Sequence, residues 1–332
     1  MRVVVTGGAG FIGANLVGEL LVGGATAVTV IDDLSTGRLA NLQDLDVHVE
    51  IGSILDAALL DRVLPGADAI VHMAARPSVP RSLEDPLASH TVNATGTLHV
   101  LEAARRAGRP YTIVASSSSV YGANPTLPKH EGLPPQPMSP YAASKLATEA
   151  YALAYAGCFD LPVLALRFFN VFGPLQPADH SYAAVIPAFV SAALEDRPLP
   201  IHGDGLQTRD FTYVGSVTAL IADALRRRVS SPTPVNLAFG TRRSLRDVVD
   251  ALQREVGHPL ELAFGPPRPG DVRHSQADQT NLRALFPDVE PVAFEDGLAA
   301  TVAWGRTRPA TPFAWTQTTE EILGEATLDT RR

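Results

Sequence analysis

Residues 2–13 read Arg2-Val3-Val4-Val5-Thr6-Gly7-Gly8-Ala9-Gly10-Phe11-Ile12-Gly13, and this stretch decides the fold. A run of three valines reads as a strand, four glycines follow, and an apolar helical pattern starts at Phe11. Gly8, Gly10 and Gly13 satisfy G-x-G-x-x-G, while Gly7, Gly10 and Gly13 satisfy G-x-x-G-x-x-G. Either spacing makes a tight turn, lets backbone approach a pyrophosphate and points a helix N-terminus at it. A strand before and a helix after are the context that a dinucleotide-binding turn requires. The next apolar run, residues 27–31, ends in Asp32-Asp33. A carboxylate there holds the adenosine ribose hydroxyls and repels a 2′-phosphate, which favours NAD over NADP. Ser53-Ile54, after a third run at 47–51, falls where the adenine edge is expected.

Farther along, apolar runs at 69–72, 111–115 and 163–166 alternate with helical stretches, notably 86–107 and 139–156. The runs are continuous rather than alternating, as when helices cover both faces of a parallel sheet. The reading is an α/β fold with a doubly wound, Rossmann-type parallel sheet over residues 1–170. After Phe172 the rhythm breaks. Gly173-Pro174, Pro177, Pro187, Pro198 and Pro200 punctuate shorter elements before helices expected at 217–228 and 245–256. Residues 171–305 are read as a smaller, mixed α/β substrate region, with 235–238 expected to return to the main sheet. Residues 306–332, rich in Thr, Glu and Arg, are set apart as a tail.

Composition narrows the function class. A chain of 332 residues, 45% apolar and 19% charged, can bury a large core, which excludes a disordered protein. Its one cysteine, Cys158, cannot pair within the chain, and it reads as a small core or helix-end residue rather than a nucleophile. With 35 acidic against 27 basic residues the formal charge is −8, leaving no basic footprint for nucleic acid or an anionic membrane. No run reaches the roughly 18 apolar residues that span a bilayer. Glu19 interrupts the apolar start, and no small-residue cleavage site follows, so a cytoplasmic location is expected. Nine scattered histidines show no ligand spacing, and no metal is expected.

Tyr141-Ala142-Ala143-Ser144-Lys145 puts a phenol and an ammonium four residues apart, hence on one helix face. A neighbouring ammonium and a nicotinamide cation would both lower the phenol's pKa, making it a usable acid or base. Upstream, Ser116-Ser117-Ser118-Ser119-Val120-Tyr121-Gly122 follows the fifth run, so its hydroxyls are expected at the carboxyl edge of the sheet.

Taken together, TGGAGFIG, His72-Met73-Ala74-Ala75, SSSSVYG, YAASK, Arg167-Phe168-Phe169-Asn170-Val171-Phe172-Gly173-Pro174 and Gln207-Thr208-Arg209-Asp210-Phe211 resemble an extended short-chain dehydrogenase/reductase. The branch is that of nucleotide-sugar epimerases and dehydratases, and the likeness runs from Met1 to about Trp304. It implies that Tyr141 is the base, that Lys145 holds the nicotinamide ribose and that Ser117 contacts the sugar 4-hydroxyl. It also implies a bound NAD lined by Gly7, Gly10, Phe11, Ile12 and Gly13. Asp32, Asp33, Ser35, Thr36, Gly37, Ser53 and Ile54 would line the adenosine, and Met73, Ala74, Ala75 and Phe168 the rest. Related dehydratases place an Asp-Glu pair just after the Ser/Thr. Here Ser118 and Ser119 stand there, which disfavours dehydration and leaves 4-epimerisation.

On the substrate side, the resemblance assigns Arg209 and Arg268 to the diphosphate, Asp271 to the ribose and Asn170 to the diphosphate or sugar. Gln176, Ala184, Val185, Ser78 and the serines 118 and 119 complete the expected contacts. The segment 176–187 and Ser78-Val79-Pro80-Arg81-Ser82 resemble UDP-N-acetylglucosamine 4-epimerases most closely. Ser275, where some glucose-specific epimerases carry a tyrosine, leaves room for an N-acetyl group. Asn170 and Pro177 count against a uronate, although Arg81 or the serines could meet a carboxylate. The alternatives are a UDP-glucuronate 4-epimerase, a dehydratase or reductase, and a non-catalytic NAD-binding protein. The family pattern departs at Ser53, usually an acid, and at Tyr213-Val214-Gly215, usually Tyr-Val-Asp. Arg273 reads as surface. A homodimer is expected through helices at 91–107 and 144–157.

Overall fold

The computed structural model describes residues 1–25, 27–178, 183–266 and 272–307. Six strands open the fold: β1 (Arg2–Thr6), β2 (Ala27–Asp32), β3 (His48–Ile51), β4 (Ala69–His72), β5 (Tyr111–Ser117) and β6 (Val163–Phe168). Three more, β7 (Asn170–Phe172), β8 (Leu199–His202) and β9 (Thr208–Tyr213), lie outside the main sheet. The chain then returns as β10 (Val235–Leu237), which pairs in parallel with β6, Val235 against Leu166. The result is a seven-stranded parallel sheet in the order β3-β2-β1-β4-β5-β6-β10.

The central strands are mostly apolar because both of their faces are covered. Val3 and Val5 share a core with Leu16, Val17, Val217 and Leu220, from helices Phe11–Val22 and Val214–Arg227. Val4 joins the opposite core with Leu60, Val100, Leu101 and Ala152. Burying one such side chain contributes roughly 1.5–3 kcal/mol, so no position in the run can be polar cheaply.

The stretch expected as one helix over 86–107 is interrupted. Asp85 caps it and Pro86 opens it, but Thr91–Thr95 form a π-helical turn before the helix resumes as Gly96–Arg106. The turn frees the Asn93 carbonyl, which accepts the Thr97 hydroxyl at 2.5 Å and the Thr148 hydroxyl at 2.8 Å. Such turns recur at functional sites. Of the other expected helices, two shift only at their ends, to Pro140–Phe159 and Val214–Arg227, and the one at 245–256 falls where expected. Cys158 lies exposed on the last turn of the first of these.

From Asn170 onward the chain builds two small sheets. β9 pairs in parallel with β7 and antiparallel with β11 (Arg242–Ser244), while β8 pairs with β12 (Leu262–Gly265). Phe172, Phe189, Phe211, Leu245 and Phe294 form their core. Ser244 and Asp247 make a reciprocal capping box that starts the helix Leu245–Val256. The departure at Gly215 has a packing reason. A Cβ on Gly215 or on Gly297 would stand 2.7 Å from the Tyr213 ring, which lies between them.

Candidate active site

The chain runs outward from β1 to β2 and β3, then crosses back to β4, so the strand order reverses between β1 and β4. Ligands of doubly wound sheets bind outside the carboxyl ends of the strands at such a switch point. A cavity of roughly 620 Å³ opens there.

Gly7, Gly10, Phe11, Ile12 and Gly13 wall one end. Gly7 has φ +73°, and a Cβ on it would stand 2.7 Å from the Ala74 nitrogen; one on Gly13 would stand 2.2 Å from the Gly7 carbonyl oxygen. Gly8 is off the wall and packs on Val30, a Cβ there falling 2.6 Å from a methyl carbon. The fold therefore uses the spacing 7, 10, 13. No side chain caps the helix Phe11–Val22, which leaves its first N–H groups for an anion. A cradle that any Cβ would fill, beside a bare helix N-terminus, fits the pyrophosphate of a dinucleotide.

Asp32 and Asp33 lie on the wall with Ser35, Thr36 and Ile54. Asp32 accepts Ala9 N–H and Leu34 N–H, both at 2.9 Å, and burial pushes its pKa up. Asp33 accepts the Ser35 hydroxyl at 2.6 Å. Three expected contacts fall elsewhere. Gly37 backs Asp32, since a Cβ there would meet its carboxylate at 2.8 Å. Ser53 accepts Leu55 N–H at 3.2 Å, and Gly52 rather than Ser53 is on the wall. Ser78, at φ +92°, caps the short helix Val79–Glu84 rather than lining the cavity. Met73, Ala74, Ala75 and Phe168 do line it.

At the other end stand Ser117, Ser118, Ser119, Tyr141 and Lys145. Ser139 caps their helix through Ala142 N–H at 3.1 Å, with Pro140 in its first turn. Lys145 is 5% exposed and donates to the Ala115 carbonyl at 2.8 Å; burial pulls its pKa down to about 8. In the protein alone the ammonium does not set the Tyr141 phenol. Burial pushes Tyr141 up, and the group opposing that rise is the Ser117 hydroxyl bonded to it. The Lys145 ammonium spends its bond on backbone instead.

Asn170, Val171, Gln176 and Arg209 belong both to this cavity and to a second, of about 200 Å³, walled by Ala184, Val185, Phe172 and Pro200. Gln176 donates to the Val171 carbonyl at 3.2 Å, while its buried Oε1 has no partner. Arg209 donates to the Thr208 carbonyl at 2.8 Å. Arg273 pairs with Asp204 at the surface. Ser275 lies on the wall, held by its N–H to the Thr208 carbonyl at 3.0 Å. Arg268 and Asp271 lie outside the described residues. Sequence reasoning missed His274, whose Nδ1 meets Thr208 Oγ1 at 2.9 Å on the same wall. Its place beside Ser275 was the available signal. Lys129 and Met138 also line the cavity, with no motif to announce them. Among the described residues no group of His, Cys, Asp and Glu could hold a metal ion, and no helix is long and apolar enough to cross a membrane.

Residues 3–238 match the NAD dependent epimerase/dehydratase family. This chain belongs to that family. A UDP-glucose 4-epimerase of Mycolicibacterium smegmatis is 39% identical over 318 residues, covering 93% of this chain and 99% of that protein. A dTDP-glucose 4,6-dehydratase of Streptomyces niveus is 33% identical, covering 92% and 93%. Among solved structures, a UDP-N-acetylglucosamine 4-epimerase from Methanobrevibacter ruminantium, in complex with UDP-N-acetylmuramic acid, superposes with a TM-score of 0.86 at 35% identity, covering 91% and 97%. The protein is thus an extended short-chain dehydrogenase/reductase that uses NAD, with epimerases and dehydratases among its relatives.

At the end of β4, next to Met73 of the cavity wall, a histidine is buried. His72, 2% exposed, meets Thr6 Oγ1 at 2.7 Å through Nδ1 and Thr97 Oγ1 at 3.0 Å through Nε2. Burial, with the Lys145 charge adding, pulls its pKa from 6.5 down to about 3. The unfolded chain then takes up a proton that the folded one refuses. Stability from this group is full above pH 6.5 and is lost as pH falls toward 3, by up to about 5 kcal/mol. Urea midpoints between pH 7 and 4 should therefore fall less steeply for His72→Gln than for the unaltered protein; parallel slopes would count against it.

Proposed function

We propose that this protein interconverts the C4 epimers of a UDP-sugar, either UDP-N-acetylglucosamine and UDP-N-acetylgalactosamine or UDP-glucose and UDP-galactose. One observation carries the choice of reaction. Among the described residues the only carboxylates on the cavity wall are Asp32 and Asp33, both at the adenosine end. Eliminating water from a sugar needs an acid and a base beside the reacting carbons. In the two positions just after Ser117, where that acid–base pair would stand, this chain has Ser118 and Ser119, whose hydroxyls do neither at neutral pH.

Bound NAD supplies a reversible electron-pair acceptor for sugar C4. The protein's part is the proton. Tyr141 takes it from the 4-hydroxyl, Ser117 holds that hydroxyl and the phenol together, and Lys145 keeps a positive charge below them. With the hydride that NAD would hold restored to the opposite face of C4 after the sugar has turned over, returning the proton to the oxygen gives the other epimer. Arg209 and Asn170 stand where the two cavities join, suited to the diphosphate, with Arg268 and Asp271 assigned to it and the ribose by resemblance. Ala184 and Val185 then line the base pocket. The small Ser275 supports the N-acetyl pair, and two of the relatives named above are a UDP-glucose 4-epimerase and a UDP-N-acetylglucosamine 4-epimerase.

The test is incubation of the NAD-loaded protein with UDP-N-acetylglucosamine, UDP-glucose and UDP-glucuronate, followed by proton NMR of the products. The C4 epimer of one of the two neutral sugars is expected; turnover of UDP-glucuronate alone, or of none, contradicts the proposal. The same reading includes a homodimer through the helices Gly96–Arg106 and Pro140–Phe159. On the latter Ala143, Ala150, Tyr151 and Ala154 face outward and are exposed, an apolar surface that a second copy would cover.

A further inference from the structure

We propose that Arg167, with Glu149, is a positioning residue for the reaction: their buried ion pair locks the helix bearing Tyr141 and Lys145 to the turn bearing the sugar-facing serines. Glu149 lies one turn beyond Lys145, and Arg167 lies on β6. The guanidinium grips the carboxylate twice, Nε to Oε2 at 2.8 Å and Nη2 to Oε1 at 2.6 Å, with side chains only 3% and 5% exposed. Ser116, the register partner of Arg167 across β5 and β6, donates its hydroxyl to the same carboxylate at 2.9 Å. Its neighbours do the chemistry's work. Ala115 supplies the carbonyl that holds Lys145, and Ser117 bonds Tyr141.

The other side of the guanidinium meets the turn Ser118–Tyr121. Its central carbon stands 4.7 Å from the centroid of the Tyr121 ring, and the Tyr121 hydroxyl donates to Asn236 Oδ1 at 2.7 Å, on β10. One buried cation therefore touches the catalytic helix through Glu149 and the serine turn through Tyr121.

Stability alone does not explain this pair. Buried ion pairs are often no better than apolar residues of similar volume, and buried Arg167 Nη1 has no well-formed hydrogen bond, the guanidinium having only the Tyr121 ring and hydroxyl on that side. What leucine and methionine cannot do is fix distance and angle, as a planar bidentate fork does.

This inference rests on Tyr141, Ser117 and Lys145 being the reacting groups, not on which sugar is used. The experiment compares the NAD-loaded protein with an Arg167→Met/Glu149→Leu double variant, which leaves no unpaired charge, and with Arg167→Lys. Tyr141 is titrated as phenolate absorbance, each protein against the same background carrying Tyr141→Phe. In the double variant kcat is expected to fall at least about tenfold with NAD content unchanged, since small misplacements of reacting groups cost that much or more. The Tyr141 midpoint should rise by about one unit as the Ser117 bond loosens. Arg167→Lys should not restore either value, because an ammonium cannot fork. A folded double variant with unchanged kcat and unchanged Tyr141 midpoint overturns the proposal. Should that variant fail to fold, Ser116→Ala keeps the ion pair and cuts its link to β5; an unmoved midpoint there overturns it equally. If no UDP-sugar is turned over, the titration still decides, so the two failures stay distinct.

Discussion

Tyr141→Phe is expected to lower turnover by about 10³-fold while leaving NAD bound and the protein folded. The phenol oxygen is the one group within reach of Ser117 that can take a proton from the sugar and give it back. Its loss removes the base without opening a cavity, because phenylalanine keeps the ring. Burial already holds the phenol above its ordinary value in the protein by itself. Turnover of the unaltered enzyme should therefore rise with pH until the phenol is ionised, and that limb should vanish from the variant's residual rate. Single-turnover rates across pH 6 to 10 would check both, and a variant within tenfold of the parent would remove Tyr141 from its role.

Gly13→Ala should abolish NAD binding. The added methyl would stand 2.2 Å from the Gly7 carbonyl oxygen and 2.7 Å from Gly8 Cα, so the turn itself must move. Backbone cannot yield there without widening the cradle that meets the pyrophosphate. The protein should purify without NAD, and its melting temperature should stop responding to added NAD. Gly18→Ala, whose nearest neighbour would be 4.0 Å away, is the matched control on the same helix and should keep both properties. Stoichiometric NAD in the Gly13 variant would show that the cradle lies elsewhere.

Much of the sheet was legible because parallel strands covered on both faces are mostly apolar, and runs such as Val3-Val4-Val5 permit little else. The dinucleotide turn was legible down to two spacings, and only packing of Gly8 on Val30 chose between them. What could not be read was set by partners distant in sequence. Gly37 and Ser53 are spent on Asp32 and Leu55, and Ser78 on a helix cap, as no local pattern states. The π-helical turn at Asn93 depends on hydroxyls from Thr97 and, 55 residues away, Thr148. The small sheets of β7, β9 and β11 escaped because their strands are short, and Arg209 and Arg243 interrupt the apolar pattern. His274 reached the cavity through its bond to Thr208 and through Ala277 N–H anchored on Asp210 at 3.0 Å.

Whether the site epimerises or dehydrates is decided by where solvent hydrogen ends up. The NAD-loaded protein incubated with UDP-N-acetylglucosamine and, separately, UDP-glucose in deuterium oxide should give the C4 epimer with no deuterium on any ring carbon, because only the oxygen-bound proton passes through Tyr141. A 4-keto-6-deoxy product carrying deuterium at C5 or C6 would contradict the account, since it requires the carbon acid–base pair that Ser118 and Ser119 cannot supply.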